Sequence, residues 1–438
     1  MSGMPDAPSP DLASAIAARV LRDPATIRAR AHALLARVRA GESAYFVISP
    51  DTALDDAAQR VATVTRERYP DGRIPYHSRW RHFEVGGVDR RSHLDAQIAD
   101  LDPVERARAQ IELTIVSVLL DAGAGADWFF RESTTGQRFT RSEGLGVASF
   151  HAFVGGMFSS DPMRPCQADA SGLQAITTDR LAAAFQVSAD NPLVGLEGRA
   201  ALLRRLGDIK SATSEGARKT ESQLPDALRP KPPWRIGRLD TLLADLIPIA
   251  AANDGTIGIT QIFSRVLGAY SHAWLAPNKL ADGTPLGDCW HHSAVRGEGL
   301  SDGWMPFHKL SQWLTYSLLE PFERAGVAVT GLDALTGLPE YRNGGLLLDA
   351  GVIVPKDRTL LDRTWQVGDE FTVEWRALTV ALLDELAPRV CSILGKTEAE
   401  MPLACVLEGG TWAAGRVLAQ QLRGGSPPLK IASDGTVF

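Results

Sequence analysis

Asp102-Pro103-Val104-Glu105-Arg106-Ala107-Arg108-Ala109-Gln110-Ile111-Glu112-Leu113-Thr114-Ile115-Val116-Ser117-Val118-Leu119-Leu120-Asp121 is the stretch on which the fold turns. Asp102 is a capping residue placed directly before a proline, and proline at the first helical position loses no needed N–H. Gly123 and Gly125 then end the run, so the spacing predicts one long helix from 103 to 121. The same punctuation repeats outward. Helix-period runs are predicted at 12–21 and 25–40, the second with arginines on its solvent side, and at 51–69, closed by Pro70-Asp71-Gly72. Further helices are expected at 178–187, 197–207, 238–252, 257–276, 308–326 and 371–396.

Strand signals are few. The clearest is Gly345-Leu346-Leu347-Leu348-Asp349-Ala350-Gly351-Val352-Ile353-Val354-Pro355, two apolar runs about a glycine-containing turn, which predicts a hairpin. Short strands are expected at 138–147 and 83–88, and Gly409-Gly410 is expected to be a turn. Residues 1–10 form a polar, proline-rich leader, and 208–234 turn polar enough to form a surface excursion. The expected architecture is therefore mainly α: one large helical domain over 11–438 with a small β element.

The bulk composition excludes several functions. Of 438 residues, 45% are hydrophobic and 22% charged, an ordinary globular mixture. The 52 acidic and 46 basic residues leave a net charge of -6, which argues against a duplex-tracking surface. Cys166, Cys289, Cys391 and Cys405 lie far apart and are expected to be reduced thiols. The start of the chain has no apolar export segment, and the most apolar stretch, 241–252, is broken by Asp245 and Pro248. A cytoplasmic protein that binds a small molecule, with no nucleic acid or membrane as partner, is the expectation.

Several constellations could carry chemistry. In Phe307-His308-Lys309-Leu310-Ser311-Gln312-Trp313-Leu314, the residues Leu310, Trp313 and Leu314 share a core face, while His308, Lys309 and Gln312 surround a first helical turn that favours an anion. In Leu338-Pro339-Glu340-Tyr341-Arg342-Asn343-Gly344-Gly345, a carboxylate, a phenol and a guanidinium sit on one turn. This is either a reacting cluster or a salt-bridged turn. Tyr76-His77-Ser78-Arg79-Trp80-Arg81-His82-Phe83 could ion-pair with a phosphorylated sugar or simply staple a loop to the core. Arg141-Ser142-Glu143-Gly144-Leu145 reads as a loop with a polar tip. Cys289 with His291 or His292 could supply zinc ligands, but a second close pair is absent. No phosphate-loop, nucleophile-elbow or dinucleotide fingerprint appears.

Asp121-Ala122-Gly123-Ala124-Gly125-Ala126-Asp127-Trp128, Arg141-Ser142-Glu143-Gly144-Leu145, Phe158-Ser159-Ser160-Asp161-Pro162 and the run from His308 to Leu318 resemble the uracil-catabolism family of fungi and bacteria, catalogued as a domain of unknown function. That resemblance covers nearly the whole chain. It implies a step on a route from uracil to urea in which a ribosylurea, as its phosphate, is split into urea and ribose phosphate. Lys309 to Leu319, Asp333-Ala334-Leu335-Thr336 and Glu340-Tyr341-Arg342 also resemble the helical queuosine salvage N-glycosylases. Those enzymes carry aspartate where Glu340 stands, and the resemblance implies an N-glycosylase-like helical fold.

On that footing Glu340 is the expected carboxylate beneath the anomeric carbon, stabilising the oxocarbenium-like transition state and activating water. Asp254, Asp333 and His308 are the candidate proton donors. Lys309, Tyr341, Arg342, Gln312, Arg79, His82 and Arg141 are the candidate substrate-binding residues. No cofactor and no metal is required, with Cys289 and His291 the fallback zinc ligands. Two other functions compete. One is a metal-dependent ureido hydrolase of the same route, and the other is a non-catalytic nucleotide-binding protein.

Overall fold

The helix at 103–119 forms for the reason read from its ends: the Asp102 carboxylate accepts the N–H groups of Val104 and Glu105 at 2.9 and 3.1 Å. In this computed structural model the described residues are 10–121, 123–125, 127–222, 238–270 and 278–432, the side chains of 213–222 excepted. The leader at 1–9 and the part of the polar stretch at 223–234 lie outside them.

In chain order the helices are α1 (Pro10–Leu21), α2 (Pro24–Arg39), α3 (Asp51–Arg68), α4 (Trp80–Phe83), α5 (Arg90–Gln97), α6 (Pro103–Leu119), α7 (Arg141–Val154), α8 (Ala170–Gln174) and α9 (Thr178–Ala184). They continue with α10 (Leu196–Ser222), α11 (Leu242–Ala251), α12 (Ile259–Tyr270), α13 (Lys309–Arg324), α14 (Tyr341–Asp349), α15 (Glu370–Leu394), α16 (Leu403–Val406) and α17 (Trp412–Arg423). The strands are β1 (Phe46–Ile48), β2 (Phe129–Arg131), β3 (Arg138–Thr140), β4 (Thr256–Gly258), β5 (Cys289–His291), β6 (Trp304–Pro306), β7 (Ala328–Thr330), β8 (Ile353–Pro355), β9 (Thr364–Gln366) and β10 (Lys430–Ala432). They pair only in twos: β1 with β8, β2 with β3 and β5 with β6 antiparallel, β4 with β7 and β9 with β10 parallel. The fold is mainly α, and the strands only pin loops together.

Three helices form the centre. Every residue from Ala107 to Leu119 of α6, from Leu310 to Leu319 of α13 and from Phe371 to Leu383 of α15 is buried. A helix buried on all sides must satisfy its polar groups within the protein. Glu112 of α6, fully buried, meets Arg238 at 2.6 Å. α13 packs on α6 and α12, and α15 packs on α2 and α3. One continuous apolar cluster links side chains from Ile27 to Leu429.

Four local expectations fail. The hairpin at 345–355 does not exist: Tyr341–Asp349 is helix α14, and only Ile353–Pro355 is extended, paired with β1. The turn glycine, Gly351, instead follows the end of that helix at φ 72°, and Gly344 lets the helix pack closely, since a Cβ there would lie 2.4 Å from the Trp375 ring. The segment 83–88 is the end of α4 and a 3-10 turn, and 138–147 is extended only to Thr140 before α7 begins. Residues 208–222 continue α10 as helix. Gly409 and Gly410 lie inside a π-helical stretch, Leu407–Thr411, rather than in a turn. At Gly409 and Gly410 glycine was taken as a turn former where it permits close packing, since a Cβ on Gly410 would lie 2.4 Å from Val61 O.

Candidate active site

Helix α13 presents Lys309, Trp313 and Ser317 at i, i+4 and i+8, one stripe along one face. The segment at 77–82 lies across that stripe. Ser317 Oγ accepts the N–H of Arg79 at 2.8 Å, and its carbonyl accepts Trp80 Nε1 at 3.1 Å. The Arg79 guanidinium is 0% exposed and stands over the Trp313 ring, 5.6 Å from its centroid. His82 meets the same ring edge-on at 5.8 Å, and His77 meets it at 6.4 Å, tilted by 35°.

The end of α6 and the start of α7 close the next wall. Arg79 Nη1 lies 3.0 Å from Asp121 Oδ1, and Arg79 Nε donates to Ser117 Oγ at 2.6 Å. Ser142 Oγ donates to the other Asp121 oxygen at 3.0 Å. Helix α7 can come this close because position 146 is glycine; a Cβ there would sit 2.8 Å from His82 Cβ. Burial raises the Asp121 carboxyl, but the Arg79 charge together with its other neighbours, Ser142 and Lys309 among them, outweighs it and leaves the group below the usual range. Burial, reinforced by the Arg79 charge, pushes His82 down to about 4, so its ring is neutral near neutral pH. Arg79 Nη2, His82 Nδ1 and Trp313 Nε1 are buried with no hydrogen-bond partner among the described residues. Three orphaned nitrogens around one indole ring are the mark of a space that expects a polar guest.

Lys309 opens α13. Its backbone N–H is held by Asp288 Oδ2 at 3.0 Å, while its ammonium makes no hydrogen bond or ion pair with a described residue. Burial lowers its pKa, and the charges of Glu340 and Asp121 oppose that shift. Glu340 caps α14: its oxygens accept the N–H groups of Arg342 at 2.7 Å and Asn343 at 2.6 Å. The capping fixes the carboxylate and leaves further lone pairs on each oxygen free to act. The next flank is cationic. Arg342 donates to Gly425 O at 3.3 Å, feels the charges of Arg141 and Arg416, and shares Glu143 with Arg416 as counter-charge. Arg141 and His308, the residues at the starts of α7 and α13, both adopt left-handed backbone, φ 53° and 47°. Such strain in non-glycine residues gathers at functional sites.

The structure thus brings together Glu340, Lys309, Arg342, Arg141, Arg79 and His82. It places other candidates elsewhere. His308 is buried, with Nε2 2.9 Å from Leu21 O and its ring edge-on to Phe263. Gln312 is spent on the 336 loop, donating to Thr336 Oγ1 and accepting the Thr336 N–H at 2.8 Å. The Tyr341 hydroxyl donates to Ile431 O at 3.3 Å. Asp254 is exposed in the turn before β4, and Asp333 is exposed on a groove with Tyr76 and Glu323. Neither is among the charges that act on Lys309. Cys289 is sunk in an apolar cluster with Leu21 and Leu286, and His291 is exposed with its ring edge-on to Trp304. Among the described residues no group of three or more His, Cys, Asp or Glu side chains is arranged to hold a metal ion.

Sequence reasoning overlooked Asp121, Trp313 and Arg416 as members of the site. Asp121 had the look of a helix end and Trp313 that of core. The Lys309–Trp313–Ser317 spacing was the available signal, since it puts a charge and a hydroxyl on the same face as the indole.

Fold and site together define a helical protein with a cluster of buried and half-buried charged groups at the meeting of helix termini. The chain belongs to the family described as "Protein of unknown function (DUF1688)", whose profile matches residues 20–438. It is 38% identical over 422 residues to "Protein urg3" of Schizosaccharomyces pombe, covering 94% of this chain and 96% of that one. It is also 36% identical over 415 residues to "Uracil catabolism protein 4" of Lachancea kluyveri, covering 88% of this chain and 90% of the relative.

Proposed function

We propose that the protein acts in uracil catabolism, as the Lachancea kluyveri relative is named, and that its step there is hydrolysis of the N-glycosidic bond of a ribosylurea 5′-phosphate. The observation that carries this reading is Glu340 fixed at the start of α14 beside the unpaired ammonium of Lys309. Breaking a ribosyl C–N bond builds positive charge on the sugar, which a fixed carboxylate stabilises without reorganising. The same carboxylate can take a proton from the attacking water. Arg342, Arg141 and Arg416 supply the cationic flank for the phosphate, and Glu340 is the carboxylate felt by both Arg342 and Lys309. Binding energy from the phosphate orients the sugar without touching the reacting bond. The orphaned nitrogens of Arg79, His82 and Trp313 suit the carbonyl and hydroxyl oxygens of such a substrate.

The test is incubation of chelator-treated protein with ribosylurea 5′-phosphate, with released urea and reducing sugar assayed together. Equal release of the two is the expected result. Ammonia without free sugar would place the cut at the ureido bond, and absence of any product would leave a binding role.

A further inference from the structure

A departing ureido nitrogen is a poor leaving group, so the reaction proposed above needs a proton donor as well as a carboxylate. The carboxyls beside Lys309 are poor sources of it. Asp121 and Glu143 are both held below the usual range: burial raises each, but their charged and hydrogen-bonding neighbours, Arg79 first at Asp121 and His82 and Arg416 at Glu143, together outweigh it. Glu340 is committed to accepting backbone N–H groups. Burial lowers the Lys309 pKa against the charges of Glu340 and Asp121, so its ammonium is the rival donor.

Across Trp313 from His82 lies a pair of residues that nothing so far has used. His77 Nδ1 stands 2.9 Å from Glu408 Oε2, with both side chains buried. Glu408 sits in the π-helical stretch, a form that interrupts helices mostly at functional sites. Arg68 and Tyr69 donate to its other oxygen at 2.8 and 2.9 Å. Burial alone would raise this carboxyl, but His77 and Arg68 hold it down at about 2. An ionised carboxylate only accepts, so the proton on Nδ1 faces Glu408. The opposite edge of the ring, Nε2, makes no hydrogen bond with a described residue, and the ring lies 6.4 Å from that of Trp313, whose Nε1 is also without a partner among the described residues. The His77 backbone is fixed as well, its N–H donating to Ala404 O at 2.9 Å. A histidine oriented by a carboxylate at one nitrogen and open at the other is built for proton transfer.

We propose that His77 is the general acid that protonates the departing nitrogen, with Glu408 as its positioning residue; this rests on the N-glycoside reading. The C1′–N bond breaks with its electron pair going to nitrogen, which takes the Nε2 proton of the imidazolium and leaves as urea. Water adds to the anomeric carbon and gives its proton to Glu340. Exchange with solvent then returns a proton to His77 and removes one from Glu340.

The experiment compares two substrates: ribosylurea 5′-phosphate, and 4-nitrophenyl riboside 5′-phosphate, whose phenolate leaves without a proton. His77→Asn should lower kcat on the first by ~100-fold or more, the scale of a positioned acid, and on the second by less than about 10-fold. Glu408→Gln should show the same selectivity more weakly, with native circular dichroism for both variants. Equal losses on the two substrates would make the pair a structural staple, and no loss on either would make it a spectator; both results overturn the proposal. Failure of the wild-type protein to release urea would instead sink the hydrolase reading, and the acid role with it.

Discussion

Arg376 grips Asp288 through two parallel hydrogen bonds of 2.8 Å each, and the same Asp288 holds the first N–H of α13 at Lys309. The pair therefore sets where the Lys309 stripe begins. Burial raises the Asp288 carboxyl, but Arg376 outweighs it and keeps the group below the usual range. Arg376→Ala leaves a buried carboxylate without its charge partner and should cost about 3–5 kcal/mol in urea denaturation. A loss under about 1 kcal/mol would mean that solvent reaches Asp288 and that the anchor is dispensable.

Glu340 has two roles that substitution separates. Glu340→Gln should lower turnover by at least ~100-fold on ribosylurea 5′-phosphate. Its cost in stability should be no more than about 1 kcal/mol, the scale of a helix cap. Turnover near the wild-type value would remove Glu340 from the chemistry and leave it as a cap.

The arginine flank predicts a split in kinetics. Arg342→Ala and Arg416→Ala should each raise KM for the phosphorylated riboside roughly 10-fold, the worth of one charge-assisted hydrogen bond. KM for the dephosphorylated riboside should stay unchanged. Equal effects on both compounds would assign these arginines to the fold instead.

Glu132 gives a pH signature away from the site. Arg90 meets it with two bonds, of 2.7 and 2.8 Å, and His151 stands 2.8 Å from it. Burial alone would raise its pKa, but these partners and Thr135 bring it from 4.5 to about 2. The folded value lies below the unfolded one, so the contribution to stability is complete above pH 4.5 and is lost as pH falls toward about 2. Urea midpoints measured across that window should fall with pH in the wild type. In Glu132→Gln they should start lower and fall less; parallel curves would contradict the assignment.

Gly344 links packing to the site. Adding a methyl group there presses on Trp375 and displaces the helix that Glu340 caps. Gly344→Ala should cost about 1–3 kcal/mol by overpacking. Turnover should fall at temperatures where the variant is still fully folded; unchanged turnover there would show that Trp375 yields without moving α14.

The sequence alone determined the elements whose signals are local. The cap and proline of α6, the apolar period of α2, α3 and α15 and the scarcity of strands all follow from residues a few positions apart. It also drew attention to Lys309 as a charge in a helix first turn, and to Glu340 and Arg342 as a charged cluster read as a turn and matched by a family resemblance. Only tertiary structure decided the rest. Whether Gly344 and Gly410 break or permit a helix depends on Trp375 and on Val61, which are remote in the chain. That Asp121 faces Lys309, or that Glu408 orients a histidine 331 residues away, depends on how α6, α13 and the π-helical stretch pack together. Local signals fix a helix through bonds between near neighbours, whereas a polar site is assembled by burial, which only the folded chain decides.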